Sequence, residues 1–120
     1  MRPFAVYLYG SDGGPLPTSF EAAAARLQRL ERCFFEPDGS FTWVIDARQR
    51  QQVDGMLYDA AGRLQYVDLK GTCSCAAWQR LVAQIAPAAS LTVLPVQQGG
   101  LQPLQRFETL QWGNPSSPSP

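Results

Sequence analysis

Gln51 to Thr72 (QQVDGMLYDAAGRLQYVDLKGT) is the stretch that leaves this chain the fewest choices. Two runs rich in β-branched, aromatic and large apolar residues, Val53 to Tyr58 and Leu64 to Lys70, flank Asp59-Ala60-Ala61-Gly62-Arg63. That is the composition of a β-hairpin. Gly62 suits a loop position needing positive φ, so the expected connection is a three-residue loop, Ala60-Ala61-Gly62, made of a type I turn closed by a bulge. In that register Gln52, Asp54, Met56 and Tyr58 meet Lys70, Asp68, Tyr66 and Leu64 on one side of the ribbon. Val53, Gly55 and Leu57 meet Leu69, Val67 and Gln65 on the other. A slip of one residue would mix the apolar and polar sets, so the pattern itself favours this pairing.

One consequence is electrostatic. Asp54 then faces Asp68, and like charges directly opposite on a sheet are destabilising. A bound cation, a raised pKa in one acid, or a neighbouring base would each relieve the pair. Lys70, the only lysine in the chain, stands two residues beyond Asp68 on the same side.

The remaining elements follow from periodicity and breakers. Phe4 to Tyr9 (FAVYLY) has the composition of a buried strand. Thr18-Ser19-Phe20-Glu21 fits a capping box with Thr18 as N-cap. Phe20, Ala23, Leu27, Leu30 and Phe34 fall at helical spacing behind it. Arg26, Arg29 and Arg32 lie elsewhere on that helix, as a solvated face. Glu36-Pro37-Asp38-Gly39 turns the chain into a strand, Phe41 to Ile45. Ser74 starts a second helix with Trp78, Leu81 and Ile85 on one face, ending before Pro87. Leu91 to Val96 reads as a last strand, its Pro95 pointing to a sheet edge or a strand end. Leu101 to Trp112 suits either an edge strand or a loose helix. The expected class is α+β, in the order β-α-β-β-β-α-β, with an antiparallel meander sheet of about five strands and two packed helices. Residues 1–112 make a single domain, and the Pro/Ser run at 113–120 has nothing to bury and is expected to be disordered.

Composition narrows function. Ten acids balance ten bases, so no global basic field draws in nucleic acid. No apolar segment approaches the ~20 residues needed to cross a bilayer, and Met1-Arg2-Pro3 leads straight into a strand-like run. Three cysteines argue against a disulfide framework and for a reducing compartment, with the cytoplasm as the expected location. The chain has no histidine, which removes Ser-His and Cys-His nucleophilic catalysis and leaves zinc short of ligands. Cys73 and Cys75 flank a helix start, where a thiol pKa can be lowered, but structural thiols are the expected role, as for Cys33 on the first helix. Phe34, Phe35, Phe41, Trp43 and Trp78 read as core, with Phe35 or Trp112 as the candidates for an exposed contact patch.

Asp54, Asp68 and Lys70 admit two readings. In the first they form a salt-bridge cluster on a solvated or half-covered sheet face, with Arg48, Arg50 or Arg80 as further partners. The apolar neighbours Met56, Leu64 and Tyr66 suit a covered face. The chain is then a non-catalytic binding or protein-interaction domain, engaging a protein partner or a second copy of itself, with no cofactor.

The second reading comes from a resemblance. The αβββαβ order from about Ser19 to Val96, with Val53-Asp54 in one meander strand and Asp68-Leu69-Lys70 in the next, resembles the PD-(D/E)xK nuclease superfamily. The resemblance implies Mg²⁺ held by Asp54 and Asp68, Lys70 as the catalytic cation, a nucleic-acid substrate, and a helical Glu completing the site, either Glu31 or Glu36. Val53 stands where that family's signature has proline. The chain also resembles small bacterial proteins of unassigned activity that carry runs like FFEPDGSFxW and LYDxxGRLQYVxLKG.

Overall fold

The computed structural model describes residues 1–87, 89–97 and 99–113. Seven strands pair antiparallel throughout: β1 (Phe4–Tyr9), β2 (Cys33–Phe35), β3 (Ser40–Asp46), β4 (Gln51–Ala60), β5 (Arg63–Thr72), β6 (Thr92–Pro95) and β7 (Gln102–Pro103). They lie in the order β2-β3-β4-β5-β1-β6-β7. Three helices accompany them: α1 (Phe20–Leu27), α2 (Cys75–Ile85) and α3 (Leu104–Trp112). The α+β class and the β3-β4-β5 meander match expectation. The counts do not, since seven strands and three helices replace about five and two.

The extra elements have local causes. The first helix was expected to run to Phe34, yet α1 stops at Leu27. Arg32 takes φ 62, and its guanidinium donates to the carbonyls of Val44 and Ile45 at 3.0 and 2.9 Å. Those bonds hold the reversed chain against β3, so Cys33 to Phe35 pair as an edge strand and Cys33 leaves the helix. Ser19, not Thr18, is the N-cap, its Oγ accepting from the Ala22 amide at 3.1 Å. The Thr18 hydroxyl instead accepts from Arg26. Arg26 belongs to no solvated face: it donates to the carbonyls of Gln84 and Ile85 at 2.6 and 2.9 Å, satisfying acceptors that the end of α2 leaves open. Leu101 to Trp112 resolves into both alternatives, a two-residue strand running directly into α3. Of the segment expected to form a disordered tail, all but Gly113 lies outside the described residues.

All three helices bury into one cluster. Ala23 and Leu27 come from α1, Trp78, Leu81 and Ile85 from α2, and Leu104 and Phe107 from α3, against Val6, Leu8, Val53, Leu57, Val67 and Leu69 of the sheet. The Trp78 ring has Phe4, Phe107 and Trp112 at centroid distances of 5.2, 5.3 and 5.5 Å. β1 is not buried on both sides, for its exposure alternates strictly. Phe4, Val6 and Leu8 point to the helices, and Ala5, Tyr7 and Tyr9 point away.

The hairpin carries the largest correction. Its loop has two residues, Ala61 and Gly62, at φ 54 and 76. Two successive positive φ values mark the type I′ turn, whose twist matches the flanking strands. Near the turn Ala60 pairs with Arg63 and Asp59 with Leu64, but from Tyr58–Tyr66 onward the register shifts by one. Gln65 is the unpaired extra residue of a β-bulge. Its side-chain amide donates to the carbonyls of Ala60 and Arg63 at 2.9 and 3.3 Å, tying the bulge to the turn. Leu64, expected beside Tyr58, is thereby turned into the core, where it is fully buried. Past the bulge Asp54 pairs with Lys70 and Met56 with Asp68.

Candidate functional site

Because the helices occupy one side of the sheet, the outward side chains of β3, β4, β5 and β1 are left uncovered by any helix among the described residues. Successive rows cross the strands. Phe34, Thr42, Asp54, Lys70 and Ala5 form one. Ser40, Met56, Asp68, Tyr7 and Leu94 form the next. Tyr58 and Tyr66 pair in the third, where Tyr9 also meets Tyr66.

The third row is the face's densest feature. The chain has four tyrosines, and all of them gather here around Tyr66. Tyr58 stacks on it at 4.6 Å and 20°, Tyr9 lies at 5.5 Å and 33°, and Tyr7 stands edge-on at 5.7 Å and 88°. Each geometry is within the range at which aromatic pairs attract. Tyr58 remains 37% exposed. Reduced access to solvent, then the Asp68 carboxylate and the neighbouring phenols, hold the Tyr58 pKa above its ordinary value. Burial, Tyr66 and Tyr7 do the same to Tyr9.

Asp54, Asp68 and Lys70 share this face, and Asp54 is not opposite Asp68. Lys70 stands across from Asp54 and Met56 across from Asp68, so the two acids are diagonal neighbours. The like-charge conflict expected from the sequence is absent because the bulge displaces it. Asp54 Oδ1 accepts from the Thr42 hydroxyl at 2.8 Å and from the Gln52 amide at 3.3 Å. None of the expected arginine partners, Arg48, Arg50 or Arg80, pairs with either acid among the described residues. Arg48 donates its backbone N–H to Asp46, and the Arg80 guanidinium lies 5.5 Å over the Trp43 ring. Among the described residues the one ion pair joins Arg32 to Glu31 at 3.5 Å, so no salt-bridge cluster forms around Asp54 and Asp68.

A depression of about 410 Å³ opens on this side of the sheet, bordered by Phe34, Glu36, Asp54, Met56, Asp68 and Lys70. Glu31 and Glu36, the two helical candidates, are both outside helices. Glu36 borders the depression and Glu31 does not. Among the described residues no three His, Cys, Asp or Glu side chains stand close enough together to hold a metal ion. The acids thus lack the third carboxylate that the nuclease resemblance asks for. The thiols do not supply an alternative centre. Burial pushes Cys73 up to about 12 and Cys33 to about 11, and burial followed by the Glu108 carboxylate raises Cys75. Each is the opposite of an activated nucleophile.

The tyrosine cluster was missed in the sequence, although its signal is there. Tyr7 and Tyr9 alternate with Val6 and Leu8, and Tyr58 and Tyr66 fall on the even side of the hairpin with Asp54 and Asp68. Reading Phe4 to Tyr9 simply as a buried strand hid the pattern. The expected exposed aromatic was also displaced by one residue: Phe34 is 62% exposed, while Phe35 and Trp112 pack against the core.

Comparison with family models, with curated proteins and with solved structures finds no match. No helix among the described residues is long and apolar enough to cross a membrane.

Proposed function

We propose that this chain is a non-catalytic protein-interaction domain that meets its partner with the open side of its sheet, centred on Tyr66. The observation carrying this reading is the convergence of all four tyrosines on the one sheet face that the helices leave uncovered. Aromatic residues and methionine are the side chains enriched where proteins touch, and Met56, two residues along β4 from Tyr58, adjoins the cluster. Tyrosine suits such a role because it supplies contact area with few rotatable bonds and a polar tip. Three free thiols agree with a reducing, cytoplasmic setting.

Rings kept for a partner should matter little to the fold. Tyr58→Thr combined with Tyr66→Thr retains strand propensity and removes only cross-strand ring contacts, worth about 1 kcal/mol in total. The melting temperature is expected to fall by roughly 5 °C in a circular-dichroism melt. A fall beyond about 15 °C would mean that the rings hold the sheet together, and the reading fails.

A second reading, a Mg²⁺-dependent phosphodiesterase, is favoured by the sharing of one depression by Asp54, Asp68 and Lys70. It predicts that millimolar Mg²⁺ or Mn²⁺ raises the melting temperature and that Asp68→Asn abolishes the rise. The interaction reading predicts no change with metal.

A further inference from the structure

Charge on the open face is lopsided. Glu36, Asp54 and Asp68 border the depression, and Lys70 is the one base there among the described residues. Asp54 is engaged by Thr42 and Gln52. Asp68, by contrast, accepts no side-chain hydrogen bond and enters no ion pair among the described residues. It sits between Met56 and Tyr7 in the ladder, two residues along the same strand from Tyr66. An anionic partner such as a phosphate backbone would meet net negative charge here.

The surface therefore suits a cation, and its geometry distinguishes between kinds of cation. A metal ion is held most firmly where three or more hard protein ligands meet at one point, and among the described residues no three acids do. An ammonium is a compact charge that keeps its water. A guanidinium is planar and weakly hydrated, pairs with a carboxylate through two parallel N–H donors, and lies flat on aromatic rings. Asp68 offers the carboxylate, and the Tyr58–Tyr66 stack beside it offers the ring surface.

We propose that the occupant of this face is a polypeptide segment presenting arginine, its guanidinium laid on the Tyr58–Tyr66 stack and paired with Asp68. Glu36 and Asp54 add attraction at longer range. The proposal rests on the interaction reading above and names the chemistry of the partner.

Three fluorescein-labelled heptapeptides alternating glycine with arginine, lysine or glutamate serve as probes, titrated with the full chain and followed by anisotropy. The arginine peptide is expected to bind saturably, about fivefold or more tighter than the lysine peptide, because only guanidinium both stacks and forks. Asp68→Asn and Tyr66→Thr should each weaken it by about fivefold, and Asp68→Asn should flatten its salt dependence. Equal binding of the lysine peptide, or indifference to Tyr66→Thr, overturns the proposal, since attraction would then be charge alone. Absence of arginine-peptide binding overturns it as well. Sedimentation velocity of the chain alone separates that failure from failure of the underlying reading. If the chain dimerises, or the glutamate peptide binds, and Tyr66→Thr abolishes it, the face is a contact surface and arginine is the wrong partner. If nothing binds through Tyr66 and the double tyrosine variant melts more than about 15 °C lower, both fall.

Discussion

β4 and β5 present two faces built by the same residues in alternation, and the faces obey different rules. Val53, Leu57, Val67 and Leu69 are at most 2% exposed on one side. On the other stand Asp54, Met56, Tyr58, Tyr66, Asp68 and Lys70, none of them buried. The first set is interchangeable in kind: aliphatic, close-packed and defined by volume. The second is varied in chemistry, and no helix among the described residues covers it. Side chains with no helix to pack against are not held in place by the needs of the core, so their identities inform about contacts made outside the chain.

The contrast can be broken most forcefully from the covered side. Trp78→Ala removes the ring that Phe4, Phe107 and Trp112 surround, at a cost of about 3–5 kcal/mol. The melting temperature should drop by roughly 10–25 °C, measured by calorimetry. Leu64→Ala comes next. It empties the position of a fully buried side chain that the bulge turns inward, which should cost about 2–5 kcal/mol. A variant as stable as the parent in urea would show that the seating of Leu64 in the core contributes nothing to the difference between the faces.

Alkali should also distinguish the sides. The folded chain holds the Cys73 proton up to about 12 and the Cys33 proton up to about 11, against an ordinary 9.0. Between pH 9 and those values the folded state keeps protons that the unfolded state releases, so stability falls as pH rises. Urea midpoints at pH 8 and pH 10.5 should reveal the decline, and Cys73→Ala should reduce it. Tyr9 and Tyr58, also raised, act in the same direction above about pH 10.

Smaller effects come from the turn and the open side. Ala61 holds φ 54 without being glycine. Ala61→Asn gives the turn its preferred Asn-Gly pair and should stabilise by about 0.5–1 kcal/mol, read as a higher urea midpoint. Met56→Thr, on the uncovered face, should move that midpoint by no more than about 0.5 kcal/mol.

How far the sequence disclosed this depends on whether the deciding interaction was local. The β4–β5 strands, Ser74 as a cap and the stripe of α2 were readable because propensity, period and breaker agree there. The early end of α1 was not, because it depends on Arg32 reaching carbonyls of β3. The register of the hairpin failed for a narrower reason. A two-residue loop with a bulge at Gln65 and a three-residue loop without one both put Asp54 and Asp68 on the same side. Composition does not separate them, and only pairing further along β5 does. The shared side of Asp54 and Asp68 was therefore legible, while their direct opposition was an artefact of the assumed turn.

Strand β1 lies between β5 and β6 in the finished sheet. Its first partner, Gly71, is far along the chain from Phe4, and its second neighbour follows later still. A nascent polypeptide must therefore carry Phe4 to Tyr9 unpaired while the β3-β4-β5 meander assembles from nearby contacts. The first of these seven strands to leave a ribosome is among the last to be enclosed, and closure over so long a loop should limit the folding rate.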